Sequence, residues 1–216
     1  MREKQALGFY VSGHPLDRYG KDMTRFEVTP TAALPAMSDW AAVKVAGMVE
    51  GYREKPLRQG GGKIAFFELE DVVGRVKVKV RERDVDKLSS VLTGGEPVLL
   101  SGKLSFPQVA DDAEESDAPR EPTLFLNEAR PLSEAIREIT RSVVIRLPVD
   151  RVKREQLGMM RSVLAESPGG CPVQLVLDVG GDAEAVLNLP KLRVDPTDAM
   201  LAGLERVFGE KVADLA

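Results

Sequence analysis

The chain has 216 residues, 43% hydrophobic and 30% charged, which is enough apolar material for a buried core and rules out a wholly disordered chain. One cysteine, Cys171, and one histidine, His14, exclude an internal disulfide, a cysteine-based zinc site and a histidine-rich metal cluster. The net charge of −4 is unevenly spread: residues 41–81 hold nine basic against five acidic side chains, and residues 82–140 hold six against thirteen.

The length fits one large or two small domains. No apolar run approaches the roughly 18 residues of a membrane span, and the charged start "MREKQ" lacks a signal peptide's apolar segment. A cytoplasmic protein with no membrane partner is expected.

Residues 1–40 read as a helix and a linker. In "EKQALGFYVSGHPLDRY", Leu7 and Val11 recur at helical spacing, Gly13 can close the helix and Pro15 forbids its continuation. His14 has no partner of a catalytic kind and is read as a structural residue at the helix end, with Asp17 capping or pairing locally. "VTPTAALPAMSDW" has two prolines and no period, so an extended linker leading to Trp40 is expected.

From residue 41 the pattern turns to strands. "AVKVAGMVEGYRE", "KIAFFELED", "GRVKVKVR", "EPVLLSGKLSF" and "PTLFLNEARPL" are five β-rich runs bounded by Gly, Pro or Asp. Between the third and fourth, Val85, Leu88, Val91 and Leu92 form a helical stripe closed by Gly94 and Gly95. Five strands with a helix in that slot is the order of an OB-fold barrel, assigned to residues 41–131. The alternative is a five-stranded sandwich, for which evenly spaced strands and no helix in that slot are expected.

Residues 139–216 read as a small α+β domain of order strand, helix, strand, strand, helix. "RSVVIRLP" is the first strand. A helix capped by Asp150 follows, with Val152, Leu157, Met160, Val163 and Leu164 on one face. A hairpin turns at "GGD", and the last helix is capped by Asp195, with Pro196 in its first turn and Gly209 past its end.

Alternation along "VKVKVR" sends Val76, Val78 and Val80 into the barrel and Lys77, Lys79 and Arg81 outside. In "IAFFELED" it buries Phe67 and Leu69 and turns Phe66 outward with Glu68. The first inter-strand loop is read as "YREKPLRQGGGK", offering Tyr52, Arg53, Lys55, Arg58 and Lys63. Cations track phosphates and an aromatic ring stacks a base, so Phe66 and Tyr52 for bases, with these seven cations for phosphates, suggest single-stranded nucleic acid. A half-exposed strand also alternates charge with valine for solubility alone, and Glu68 and Glu70 could simply pair with the lysines across the sheet. The segment between strands four and five, "SFPQVADDAEESDAPREP" (105–122), has six acids and one arginine, so a disordered insertion and weak, salt-sensitive binding are expected.

No catalytic constellation is found. "RQGGGKIA" lacks the spacing and hydroxyl of a phosphate-binding loop, "VGGDAE" is a turn, and Asp111 and Asp112 fall in the acidic insertion. No cofactor is expected for this chain.

"EKQALGFYVSGHPLDRY" also resembles the segment of bacterial DNA polymerase III alpha subunits that leads from the catalytic region into the OB domain. Glu3, Lys4, Leu7, Gly8, Phe9, Tyr10, Ser12, Gly13, His14, Pro15 and Leu16 carry the match. "KIAFFELEDVVGRVKVKV" and "GEPVLLSGKLSF" are similar to that family's barrel strands. "LNLPKLRVDPTDAMLAGLERVFG" is similar to the end of its C-terminal domain, which in some members binds the tau subunit of the clamp loader. Departures are Val80, where several members carry Phe, and a longer acidic insertion.

The resemblance implies a C-terminal piece of a longer replicase subunit. The parent would be a DNA-directed DNA polymerase (a nucleotidyltransferase) using Mg²⁺, whose PHP domain, palm and clamp-binding motif lie upstream. This piece would be non-catalytic, binding single-stranded template through the barrel and tau, with other replicase subunits, through the C-terminal domain. The alternative is a scaffold that never touches DNA. A synthetase's tRNA-binding barrel is a further rival, which the "GFYVSGHPLD" run argues against.

Overall fold

A computed structural model describes residues 16, 19–57, 61–107, 121–180 and 183–216. The helix expected before Gly13, His14 itself, Arg58 and most of the acidic insertion lie outside the described residues. The chain divides into two compact units, the first ending at Leu132 and the second running Ser133–Ala216.

The first unit is a closed barrel of β1 (Ala42–Pro56), β2 (Lys63–Glu70), β3 (Arg75–Val80), β4 (Val98–Ser105) and β5 (Thr123–Pro131), in the order β1-β2-β3-β5-β4. β1 closes it by pairing twice: Ala42–Gly47 with β4 and Met48–Pro56 with β2, both antiparallel. β3 and β5 pair in parallel, the one such pairing in the barrel.

The alternation read from the sequence determines what fills it. Val76, Val78 and Val80 of β3 and Phe67 and Leu69 of β2 are buried, with Leu100 and Leu104 of β4 and Leu124 and Leu126 of β5. Between β3 and β4, α2 (Glu82–Leu92) adds Val85, Leu88 and Leu92 to the same core. Each such side chain withdrawn from water stabilises the barrel by roughly 1.5–3 kcal/mol.

The segment before Trp40 corrects the expectation of an extended linker. A short helix α1 (Gly20–Arg25) is followed by a 3₁₀ turn over Thr31–Ala36. Leu34 enters the barrel core with no exposed surface. The Asp71 carboxylate, at the β2–β3 turn, accepts from Thr31 N and Thr31 Oγ1 at 2.7 Å each, and from Val73 N and Gly74 N. One apolar anchor and one part-buried hydrogen-bonded staple outweigh the missing periodicity.

The second unit is a four-stranded sheet of order β8-β7-β6-β9, made of β6 (Val143–Pro148), β7 (Pro168–Asp178), β8 (Glu184–Val194) and β9 (Ala213–Leu215). α4 (Arg154–Ala165) and α5 (Asp198–Phe208) pack on it, burying Met160, Leu164, Met200 and Leu204 with Val143, Ile145 and Val173. β6 and β7 are parallel across the α4 crossover; β7–β8 is the expected hairpin.

Several details differ from the sequence reading. Strand β9 and helix α3 (Leu132–Ile139) were not anticipated. Helix α4 starts four residues after Asp150, with Lys153 at its N-cap, and Leu157 is exposed rather than on the core face. Helix α5 is capped by the Thr197 hydroxyl accepting from Met200 N, not by Asp195, which is ion-paired with Arg137 at 2.6 Å. Gly209 does close α5 in the left-handed conformation.

Candidate nucleic-acid interface

Residues directly opposite on paired strands point to the same side of a sheet, with Cβ atoms about 4.5–5.5 Å apart. The register therefore places one row of side chains around the barrel exterior. Lys103 of β4 faces Phe125 of β5, Phe125 faces Lys79 of β3, Lys79 faces Phe66 of β2, and Phe66 faces Arg53 of β1. Cation and ring alternate at every step of this row.

The middle of the row is tightly knit. Lys79 Nζ lies 5.4 Å from the centroid of the Phe125 ring and 5.9 Å from that of Phe66, within cation–π range of both. Phe125 in turn stacks against Trp40, with centroids 6.2 Å apart and planes at 26°. A groove of about 540 Å³ runs here, lined by Arg53, Phe66, Lys77, Lys79, Phe106 and Phe125 together with Glu50, Glu68 and Thr123.

A β-bulge governs which residues reach this face. Glu50 pairs with Glu68, but the next pair is Arg53 with Phe66, so β1 spends one extra residue there. Gly51 sits in the bulge at φ 64°, a conformation glycine adopts without penalty. The extra residue reverses the alternation, turning Arg53 outward and Tyr52 inward against Phe67, with ring centroids 6.3 Å apart.

The sequence-selected residues consequently fall into groups. Arg53, Phe66, Lys77 and Lys79 come together at the groove. Lys55 stands on the same exterior two residues beyond Arg53, opposite Ile64. Arg81 follows β3 at the N-cap of α2, where its carbonyl accepts from Asp84 N. The segment "YREK" is not a loop: it continues β1 to Pro56, and the connection is only residues 57–62.

Tyr52 and Lys63 are set apart from this face, which corrects the expectation that they join it. Lys63 shares the inward alternation of Ala65 and Phe67, at the barrel mouth, and its Nζ lies 2.9 Å from both Glu54 and Asp86. Those bonds, to Asp86 first and Glu54 second, raise the Lys63 pKa and hold it firmly charged, while Lys63 keeps the Glu54 carboxylate below its usual range. The Tyr52 hydroxyl donates to Glu54 at 3.0 Å; burial first and that bond second push it up to about 12.

Lys77 is also engaged, but in the open. Its Nζ lies 2.8 Å from Glu121, both side chains largely exposed, and this bond raises the Lys77 pKa and lowers that of Glu121. Among the described residues no carboxylate pairs with Lys79, Arg53 or Lys103. No group of three or more His, Cys, Asp or Glu able to hold a metal occurs among the described residues, and no described helix is long and apolar enough to cross a membrane.

The sequence reading missed Trp40, Lys103, Phe106 and Phe125. For Phe125 and Lys103 the signal existed: Leu124 and Leu126, and Gly102 and Leu104, are inward neighbours that send them out. Trp40 carried no periodic signal.

Residues 43–132 match the family model described as an OB-fold nucleic acid binding domain. The barrel is an OB-fold. Over nearly its whole length the chain is similar to DNA polymerase III alpha subunits. It is 26% identical to that of Pseudomonas fluorescens over 208 residues, which is 96% of this chain and 17% of the relative. It is 27% identical over 208 residues to that of Pseudomonas aeruginosa, and 27% over 213 residues to that of Mycobacterium tuberculosis strain H37Rv, again covering 96% of this chain and 17% of each relative. The chain thus spans about 17% of the length of the curated relatives it matches.

Proposed function

We propose that this chain is a non-catalytic module of a replicative DNA polymerase III alpha subunit. Its OB-fold holds single-stranded template DNA across the exterior of β2, β3 and β5, and its second unit docks the tau subunit of a clamp loader among other replicase subunits. The observation that carries the DNA reading is the alternating row Lys103, Phe125, Lys79, Phe66, Arg53. An unpaired strand offers a charged backbone and flat apolar bases, and this row meets each with its complement: ammonium and guanidinium groups for phosphates, ring faces for bases.

A solubility role explains exposed lysines but not two half-buried phenylalanines alternating with them on the outer face of the barrel. Lys77 and the more distant Lys55 and Arg81 extend the positive face, and Arg58 completes the set chosen from the sequence. The tau assignment rests on similarity alone, which covers 96% of the chain. In this reading polymerisation and its Mg²⁺ belong to the parent subunit, in the cytoplasm.

The test is fluorescence anisotropy of a labelled oligothymidylate titrated with the chain at two salt concentrations. Saturable, salt-sensitive binding that weakens in Lys77→Glu/Lys79→Glu is expected. Absence of binding at low salt would leave the barrel as a scaffold. Calorimetric titration with the tau subunit tests the second unit, and a flat heat trace would remove that part.

A further inference from the structure

Trp40 stands in a backbone conformation that residues other than glycine seldom adopt. It is not glycine, yet its φ is 60°, in the left-handed region. More than half of its surface, 55%, is exposed, and it is the chain's single tryptophan. Strained backbone with a large ring facing water is what functional sites retain and stable surfaces discard.

The surrounding bonds force that pose. Trp40 N donates to Leu104 O at 2.9 Å, Leu104 N donates to Ala41 O at 3.0 Å, and Ala41 N donates to Ser38 O at 3.2 Å. Asp39 accepts from Phe106 N at 3.1 Å through its carboxylate. The turn is thereby sewn to the end of β4 on both sides of the tryptophan, while Leu34 and Thr31 anchor the chain just before it. Nothing in this scaffold needs the indole; it needs only the backbone. The ring is left stacked on Phe125, itself a wall of the main groove, and Phe106 lines both that groove and a cavity of about 400 Å³ bounded by Pro35, Met37 and Asp39.

We infer that Trp40 is a nucleobase-stacking residue: the segment ahead of the barrel supplies a rigid third ring, after Phe66 and Phe125, that carries single-stranded DNA past β5 toward the 3₁₀ turn. The inference rests on the DNA reading above. Stacking on a ring face tolerates any base, so this position adds affinity and fixes the path of the strand without selecting sequence.

The test reads two signals from one titration of the intact chain with fluorescein-labelled oligothymidylate. Anisotropy reports binding, and tryptophan emission reports Trp40 alone. The expected result is quenching of Trp40 that saturates together with anisotropy. Trp40→Ala should weaken binding roughly tenfold, the loss of one stacked base, with Trp40→Phe recovering most of it and both variants melting cooperatively. Quenching in the unaltered chain supports the inference even where Trp40→Ala fails to fold. Anisotropy saturating with unchanged tryptophan emission overturns the role of Trp40 and leaves the DNA reading standing. No anisotropy change at low salt overturns both.

Discussion

Lys79 and Lys63 come from the same basic stretch and sit on neighbouring strands, yet the two regions they occupy are chemically opposite. On the exterior, Lys79 lies between two rings with no carboxylate partner among the described residues. At the barrel mouth, Lys63 is held by Glu54 and Asp86, and Tyr52 leans on the same glutamate. A cation count treats both as DNA-binding; the register separates a charge left for a ligand from one neutralised within the fold. Exposed pairs of the second kind contribute little to stability, so the mouth cluster serves mainly to fix where side chains sit.

That contrast can be broken most forcefully by removing the rings while keeping the charges. Phe66→Ala and Phe125→Ala should each cost about 1–3 kcal/mol of oligonucleotide affinity, measured by anisotropy, while Tyr52→Ala at the mouth leaves affinity unchanged. Next comes the bulge that creates the two regions. Gly51→Val places a β-branched residue at φ 64° and should lower unfolding stability by about 1–2 kcal/mol in a denaturant titration. Any further loss of DNA binding would report Arg53 turned from the exterior.

Two smaller effects sharpen the boundary between the regions. Lys77 belongs to the exterior but is held by Glu121 at 2.8 Å, so phosphate must compete with that carboxylate. Glu121→Gln should tighten binding by no more than about twofold, as expected for an exposed pair. At the mouth, a spectrophotometric titration should show one tyrosine ionising near 12 instead of 10. Because its folded pKa lies above the unfolded value, the contribution of Tyr52 is complete below pH 10 and is lost as pH rises toward 12.

Strict alternation made β2 and β3 legible: the sequence places Phe66, Lys77 and Lys79 outside and the valines inside, and the register agrees. Alternation fails where the backbone spends an extra residue. The bulge at Gly51 exchanges Tyr52 for Arg53, and a glycine within a β-rich run is the only hint of it. Lys63 was misplaced for a different reason: the alternation that turns Phe66 outward turns Lys63 the other way, and reading it as a loop residue hid this. The 3₁₀ turn and Trp40 owe their positions to long-range anchors, Leu34 in the barrel core and the Asp71 staple, which no local pattern encodes. Helix α5 begins at Asp198, which puts Thr197 at its N-cap, while Asp195, two residues earlier, pairs with Arg137.

The most direct measurement is the salt dependence of oligothymidylate binding for the unaltered chain, Lys79→Ala and Lys63→Ala in parallel. Each phosphate contact on a single strand contributes about 0.7 to the slope of log K against log salt. Lys79→Ala should reduce the slope by about that amount while Lys63→Ala leaves it unaltered. Equal slopes for all three proteins, or a loss confined to Lys63→Ala, would contradict the assignment of the nucleic-acid face to the exterior row.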